Sequence, residues 1–236
     1  MDGNVGTQLR GKQSVYEESS TRLVPLGTKL ELAERIFRYA LNGTGTLAPG
    51  KLVVQPDNVV LHVGRAIAAA AKGALKVTVT LGATAATANQ YRDGYLVINT
   101  EGTMYRIKSH PAAALSTAVE LTLYDGLAVA LAGDETVDLV PNVFSELIIS
   151  DANQNDRAMG WPIIAVTASY YFWLQTAGPV PTLIDETLAT RGIAVTTGSH
   201  VGGAVEMADA AGEPVIGTTI SFGVDAAYKL IYAQLE

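Results

Sequence analysis

The chain has 236 residues, no cysteine, 48% hydrophobic residues, 17% charged residues and a formal net charge of −7. The missing cysteines exclude disulfides, thiolate metal sites and a cysteine nucleophile, and the acidic balance argues against nucleic-acid binding, which calls for a basic face. A charged share below the ~25% usual in soluble domains suits partners that stay bound, because fewer charges must be desolvated.

Residues 1–28 read as an extended N-terminal arm. The stretch has no sustained period, carries Gly, Ser and Thr throughout, and ends at Pro25 and Gly27. Met1–Arg10 lack the apolar centre of a signal peptide. Leu9, Val15, Tyr16, Leu23 and Val24 offer apolar anchors, and Arg10, Lys12 and Arg22 offer charges. These eight residues are the expected contact set of an arm that orders against a neighbouring subunit or surface.

Short strands follow. Lys29–Leu32 and Ile36–Ala40 flank a turn, residues 42–50 are turn chemistry throughout, and Lys51–Gln55 and Val59–Val63 read as the next two strands. Residues 66–74 (AIAAAAKGA) favour helix by composition. Gly64 and Gly73 bracket them too closely, so a short turn or loop is expected. The clearest strand is Leu75–Leu81, with Leu75, Val77, Val79 and Leu81 on one face and Lys76, Thr78 and Thr80 on the other. Val119–Tyr124 repeats that alternation, and Gly94–Asn99 with Met104–Lys108 forms a hairpin around Thr100-Glu101-Gly102. Val137–Val140 and Glu146–Ser150 come next.

Residues 151–160 (DANQNDRAMG) are polar and aperiodic, the expected internal boundary. Strands then recur at Ile163–Thr167, Tyr170–Thr176, Thr182–Asp185, Ile193–Thr196, Val201–Met207, Val215–Phe222 and Ala227–Leu235. Many short strands with turns every 8–12 residues predict an all-β fold of sandwich or barrel type. The expected organisation is an arm over 1–28, a β domain over 29–155 and a smaller β unit over 156–236. No repeat of 20–50 residues stands out, and no apolar run reaches the ~18 residues of a membrane span.

No catalytic, cofactor or metal site is expected. His62, His110 and His200 form no spaced ligand pair. Asp151, Asn153 and Asn155 resemble the start of a calcium loop, but its sixth and twelfth positions hold Asp156 and Pro162 instead of Gly and Glu. Ser199 adjoins His200, and neighbours on a strand point to opposite faces. Nucleophile-elbow, Walker and dinucleotide-binding signatures are missing. Asp134-Glu135 and Asp185-Glu186 sit beside turns, where acidic residues serve local purposes. Tyr170-Tyr171-Phe172-Trp173 puts large rings on both faces of its strand, either as a central core strand or as a platform for a subunit or a sugar.

The segment NQYRDGYLVINTEGTMYRIKSHPAA (89–113) resembles a family of tailed-bacteriophage virion structural proteins. LGTKLELAERIFRYALNGTGTLAPGKLV upstream is similar to the same family. So are KVTVTLGATAATANQY, LTLYDGLAVAL, ASYYFWLQTAGPVPTL and GGAVEMADAAGEPVIGTTISFG. The likeness covers most of residues 26–236. It departs at Ala33-Glu34-Arg35 and over residues 143–160. The resemblance implies a non-enzymatic head decoration, or cement, protein. Such a protein binds the outer capsid surface, bridges capsomers and stabilises the shell by binding the assembled lattice. The implied partners are the major capsid protein and further copies of the chain, with a trimer expected from threefold lattice sites. It would be made in the host bacterial cytoplasm and located on the capsid exterior, with no nucleic-acid or membrane partner and no cofactor. The rival readings are a head-fibre or host-adhesion module that binds glycans and, behind it, a virion-associated hydrolase.

Overall fold

The computed structural model describes residues 13–152 and 157–236. The fold is nearly all β. Among the described residues there is no α-helix, only one 3₁₀ turn at Val60–His62. The chain divides into two compact units, one built from residues 1–56 and 144–236 and the other from 57–143.

The inserted unit holds β4 (Arg65–Ala66), β5 (Lys76–Thr80), β6 (Tyr95–Ile98), β7 (Thr103–Ser109), β8 (Ala118–Leu123) and β9 (Thr136–Val140). Their order is β4-β9-β6-β7-β8-β5, and a bridge between Ile67 and Val79 joins the last strand back to the first. This near-closure shortens the exposed sheet edges. The period-2 pattern read in the sequence places Val77, Val79, Val119, Leu121 and Leu123 in one core with Leu96, Ile98 and Ile107. The hairpin is also present, with Ile98 opposite Thr103. Val59–Val63 is not a strand. His62 is drawn into the interior by hydrogen bonds to the Tyr91 hydroxyl and, at 2.8 Å, to the Thr84 carbonyl. The chain turns to place it there and leaves Val60 78% exposed.

The discontinuous unit contains β1 (Lys29–Leu32), β2 (Arg35–Leu41) and β3 (Val53–Val54) before the insertion. After it come β10 (Ile148–Ile149), β11 (Ala158–Pro162), β12 (Tyr171–Ile184), β13 (Ala194–Thr197), β14 (Ala204–Met207), β15 (Gly217–Thr219) and β16 (Tyr228–Gln234). The 14-residue β12 is its backbone. Its first half pairs with β2 on one side and β11 on the other, continuing through β3 to β10. Its second half starts the ring β12-β14-β13-β15-β16, which closes because β16 pairs back onto β12. Ile184, Val195, Val205 and Ile231 fill that ring.

The expected boundary at 151–160 lies inside this unit. β10 precedes it, β11 begins at its end, and both pair with β3. The polar stretch is therefore a connection within one sheet, and the division falls instead at residues 56/57 and 143/144. Two further expected strands, Tyr170–Thr176 and Thr182–Asp185, are one. Pro179 and Pro181 lie within β12, where Leu183, on the same side of the strand, sends its N–H to Gly50 O rather than to β16. The prolines thus occupy positions with no ladder donor to lose. Ile163–Thr167 keeps only a bridge at Val166.

A local device recurs four times. Leu47 pairs reciprocally with Val166, Ala70 with Leu131, Ala86 with Ala113, and Leu188 with Gly223, each through two backbone hydrogen bonds of 2.8–3.0 Å. In six of these eight arms a residue of positive φ follows three positions on: Gly50, Ser169, Gly73, Asn89, Ser116 and Ala226. Each such turn redirects the chain toward a strand, a repeat of geometry with little identity in sequence.

Candidate functional site

An apolar surface marks the outer side of the β16 ring. Ile231 and Ala233 point into the core, so alternation sends Tyr228, Leu230 and Tyr232 outward. Tyr228 is 51% exposed, and Phe222 and Val224 in the preceding turn are more exposed still. Across the ladder Leu230 faces Pro181 and Tyr232 faces Pro179, which extends the row onto β12. Monomers rarely leave a contiguous apolar row of this kind on a rigid sheet.

The row runs into a groove of about 510 Å³ bordered by Tyr16, Arg35, Pro49, Gln175 and Tyr228. Gly50 makes that junction: its φ is +71°, and a Cβ there would meet the Tyr228 ring at 2.9 Å. Gln175 is committed, donating to the carbonyls of Ala177 and Pro179 at 3.1 and 2.8 Å.

No protein family, curated protein or solved structure matches the chain. The chemistry of the site therefore rests on its own geometry.

Of the expected arm contacts, Leu9, Arg10 and Lys12 lie outside the described residues. Residues 13–28 are not an extended arm but lie along their own unit. Val15, Val24 and Leu26 are buried with Leu30, Phe37, Tyr39 and Trp173, and Leu23 packs against that cluster. Gln13 pins the segment: its Oε1 accepts from the Tyr39 hydroxyl at 2.9 Å, its Nε2 donates to Tyr171 O, and its carbonyl accepts from the Trp173 indole at 3.3 Å. Periodicity missed this because the anchors are spaced for irregular backbone. Tyr16 remains exposed and Arg22 is half-buried. Phe172 and Trp173 are buried on the two faces of β12 and belong to the core, whereas Tyr170 and Tyr171 are half-buried.

The three histidines have separate surroundings. His62 and His110 are buried on either side of Tyr91, with ring centroids 5.6 and 5.7 Å from it. His110 Nε2 accepts from the Tyr91 N–H at 3.0 Å while Nδ1 donates to Pro111 O at 2.8 Å. Desolvation, its largest influence, holds the His110 imidazole below its ordinary 6.5, against the Pro111 hydrogen bond. His200 stands in the loop between β13 and β14. Ser199 and His200 do not lie on a strand, and Ser199 Oγ is 2.9 Å from His200 Nδ1. Asp185 Oδ2 and Glu206 Oε2 are each 3.8 Å from the same nitrogen. A nucleophile relay needs the hydroxyl and the acid on opposite ring nitrogens. With serine and both acids on Nδ1, this set is no such relay.

Other acidic residues serve turns or ion pairs. Glu135 accepts from the N–H groups of Ala132 and Gly133, which hold its carboxyl below the ordinary 4.5. Glu236 forms a two-pronged pair with Arg38, at 2.6 and 2.7 Å, and accepts from Thr176. Arg38 is the main reason that its carboxyl also sits below 4.5.

Proposed function

We infer that the chain is a non-enzymatic assembly protein, and that its role is to decorate the exterior of a tailed-phage capsid as a homotrimer that bridges capsomers. The observation that carries the assembly reading is the outward row Tyr228, Leu230, Tyr232 with Pro179 and Pro181. Side chains held on a closed ring lose little conformational freedom on docking, so their burial converts to affinity efficiently. The row is assigned to contact between copies. The capsid as partner comes from the sequence resemblance over residues 26–236. Low charge and exposed apolar residues fit a chain whose working state is assembled.

The test has two parts. Light scattering on purified protein at micromolar concentration gives three times the monomer mass, and Leu230→Glu with Tyr232→Glu reduces it to one while the β spectrum is unchanged. A wild-type monomer, both free and on particles, overturns the assembly reading. A reconstruction of the virion that places the chain in the tail or inside the shell overturns the decoration role.

The groove favours one second reading. Tyr16 and Tyr228 beside Arg35 supply rings and a charge-bearing donor, the elements of a sugar subsite. Glycan-array binding that Tyr228→Ala abolishes would establish the adhesion role instead.

A further inference from the structure

We propose that Asp185, His200 and Glu206 form a binding site for a divalent transition cation of the zinc class. The three come from separate places: Asp185 follows β12, His200 lies in the β13–β14 loop, and Glu206 is within β14. One ligand atom from each lies within 4.8 Å of the others, and Nδ1 of His200 is 3.8 Å from an oxygen of each carboxylate. Ligands on a shared zinc, with bonds near 2.0–2.2 Å, stand roughly 3.3 Å apart. Closing the set requires the gaps to shrink by up to about 1.5 Å, and the His200 side chain, 79% exposed, is free to adjust.

A second observation points to a ligand. The Asp185 side chain is 1% exposed, and its carboxylate faces the imidazole through Oδ2. Oδ2 accepts from the N–H groups of His200 and Val201 at 2.7 and 3.1 Å, but Oδ1 is buried with no hydrogen-bond partner. A buried carboxylate with an unmatched oxygen is costly. The register extends the pattern. Asp185 N–H bonds to Val205 O, which sets Asp185 beside Glu206, and Glu206 is opposite Thr196. Asp185, Glu206 and Thr196 therefore share the sheet face turned away from Ile184 and Val205, and Thr196 Oγ1 is a second buried oxygen without a partner. Gly198 leaves the room: a Cβ there would stand 2.7 Å from Asp185 Oδ2.

The donor set selects the cation. Two carboxylates cancel a double positive charge, and an imidazole nitrogen suits zinc or its neighbours better than calcium or magnesium, which prefer oxygen. Ser199 donates its hydroxyl to Glu206 Oε2 at 2.9 Å and so orients that ligand, while its 2.9 Å contact with His200 Nδ1 gives way when the ion takes that lone pair. The bound ion would tie the β13–β14 loop to the end of β12, a staple independent of the apolar row.

The test is calorimetric titration of the full chain with zinc chloride, and with calcium chloride in parallel. The expected result is one zinc per chain, a melting temperature higher by several degrees, and at least a tenfold loss of affinity in His200→Asn and in Glu206→Gln. His200 is exposed, so its variant folds, as circular dichroism would check. Asp185→Asn is the less clean variant, because Asp185 also holds two backbone N–H groups. Failure of the wild type to bind stoichiometrically overturns the site. Zinc binding that both variants leave unchanged also overturns it, as does calcium binding at equal affinity that survives His200→Asn.

Discussion

The inserted unit and the β12–β16 ring are both closed or nearly closed β structures, yet they treat their polar groups differently. In the inserted unit nearly all the buried groups described are matched. His62 uses both ring nitrogens, His110 uses both, and the Asp93 side chain accepts from the Tyr124 hydroxyl at 2.9 Å. Among the described residues, buried side-chain atoms without a partner are Asn42, Ser150, Asp185, Thr196 and Thr197 in the discontinuous unit and only Thr103 in the inserted one. The exposed apolar residues also differ in arrangement. In the inserted unit Val60, Leu61 and Val63 follow one another at an irregular turn and Leu75, Met104 and Leu115 lie elsewhere, whereas Tyr228, Leu230 and Tyr232 alternate along one regular strand. A unit whose polar and apolar groups are consumed by folding serves as framework. Groups left unmatched on a rigid ring are available for binding.

The largest test of that contrast is His62→Ala. It removes a fully buried ring and strands the Tyr91 hydroxyl and the Thr84 carbonyl, so the inserted unit loses about 3 kcal/mol. Urea unfolding followed through that unit's tyrosines would measure it. An unchanged midpoint would mean that the histidine is not part of the framework. The surface variant Leu230→Glu is expected to behave in the opposite way, with folding stability within about 0.5 kcal/mol of wild type and association lost.

Acid should separate the two units as well. His110 has a lowered value in the folded state, so the unfolded chain binds its proton more readily. The stability this confers is full above 6.5 and is lost as the pH falls below that value. Glu236 is also lowered, and the stability from its pair with Arg38 is present above 4.5 and lost only in more acid solution. Thermal melts from pH 8 to pH 4 are therefore expected to weaken the inserted unit first. Replacing Glu236 by Gln is worth about 1 kcal/mol or less, because the pair is partly exposed. If His110→Gln leaves the profile between pH 7 and pH 5 as it is, the imidazole does not set it.

The smallest expected effect is at the recurring turns. Ala226 has a φ of 59°, where a Cβ is strained, and Ala226→Gly is expected to stabilise the ring by up to about 1 kcal/mol. A clear loss would show that the Ala226 methyl group packs usefully.

Much of the fold could be read before any pairing was known. Strict alternation located β5 and β8, and a short glycine-containing loop located the β6–β7 hairpin. Period 2 records which residues share a face, and neighbours a few residues apart set it. Tertiary pairing decided the rest. β3 meets strands nearly a hundred residues later, so the insertion of 57–143 left no local mark. The strand Ala227–Leu235 was legible, but both its faces carry apolar residues, and only ring closure shows that Tyr228, Leu230 and Tyr232 point outward. Asp185 and His200 lie 15 positions apart and read as a turn acid and an isolated imidazole. A sheet register and a loop folded over it bring them within reach of Glu206, because local sequence determines alternation while long-range hydrogen bonding determines which side chains meet.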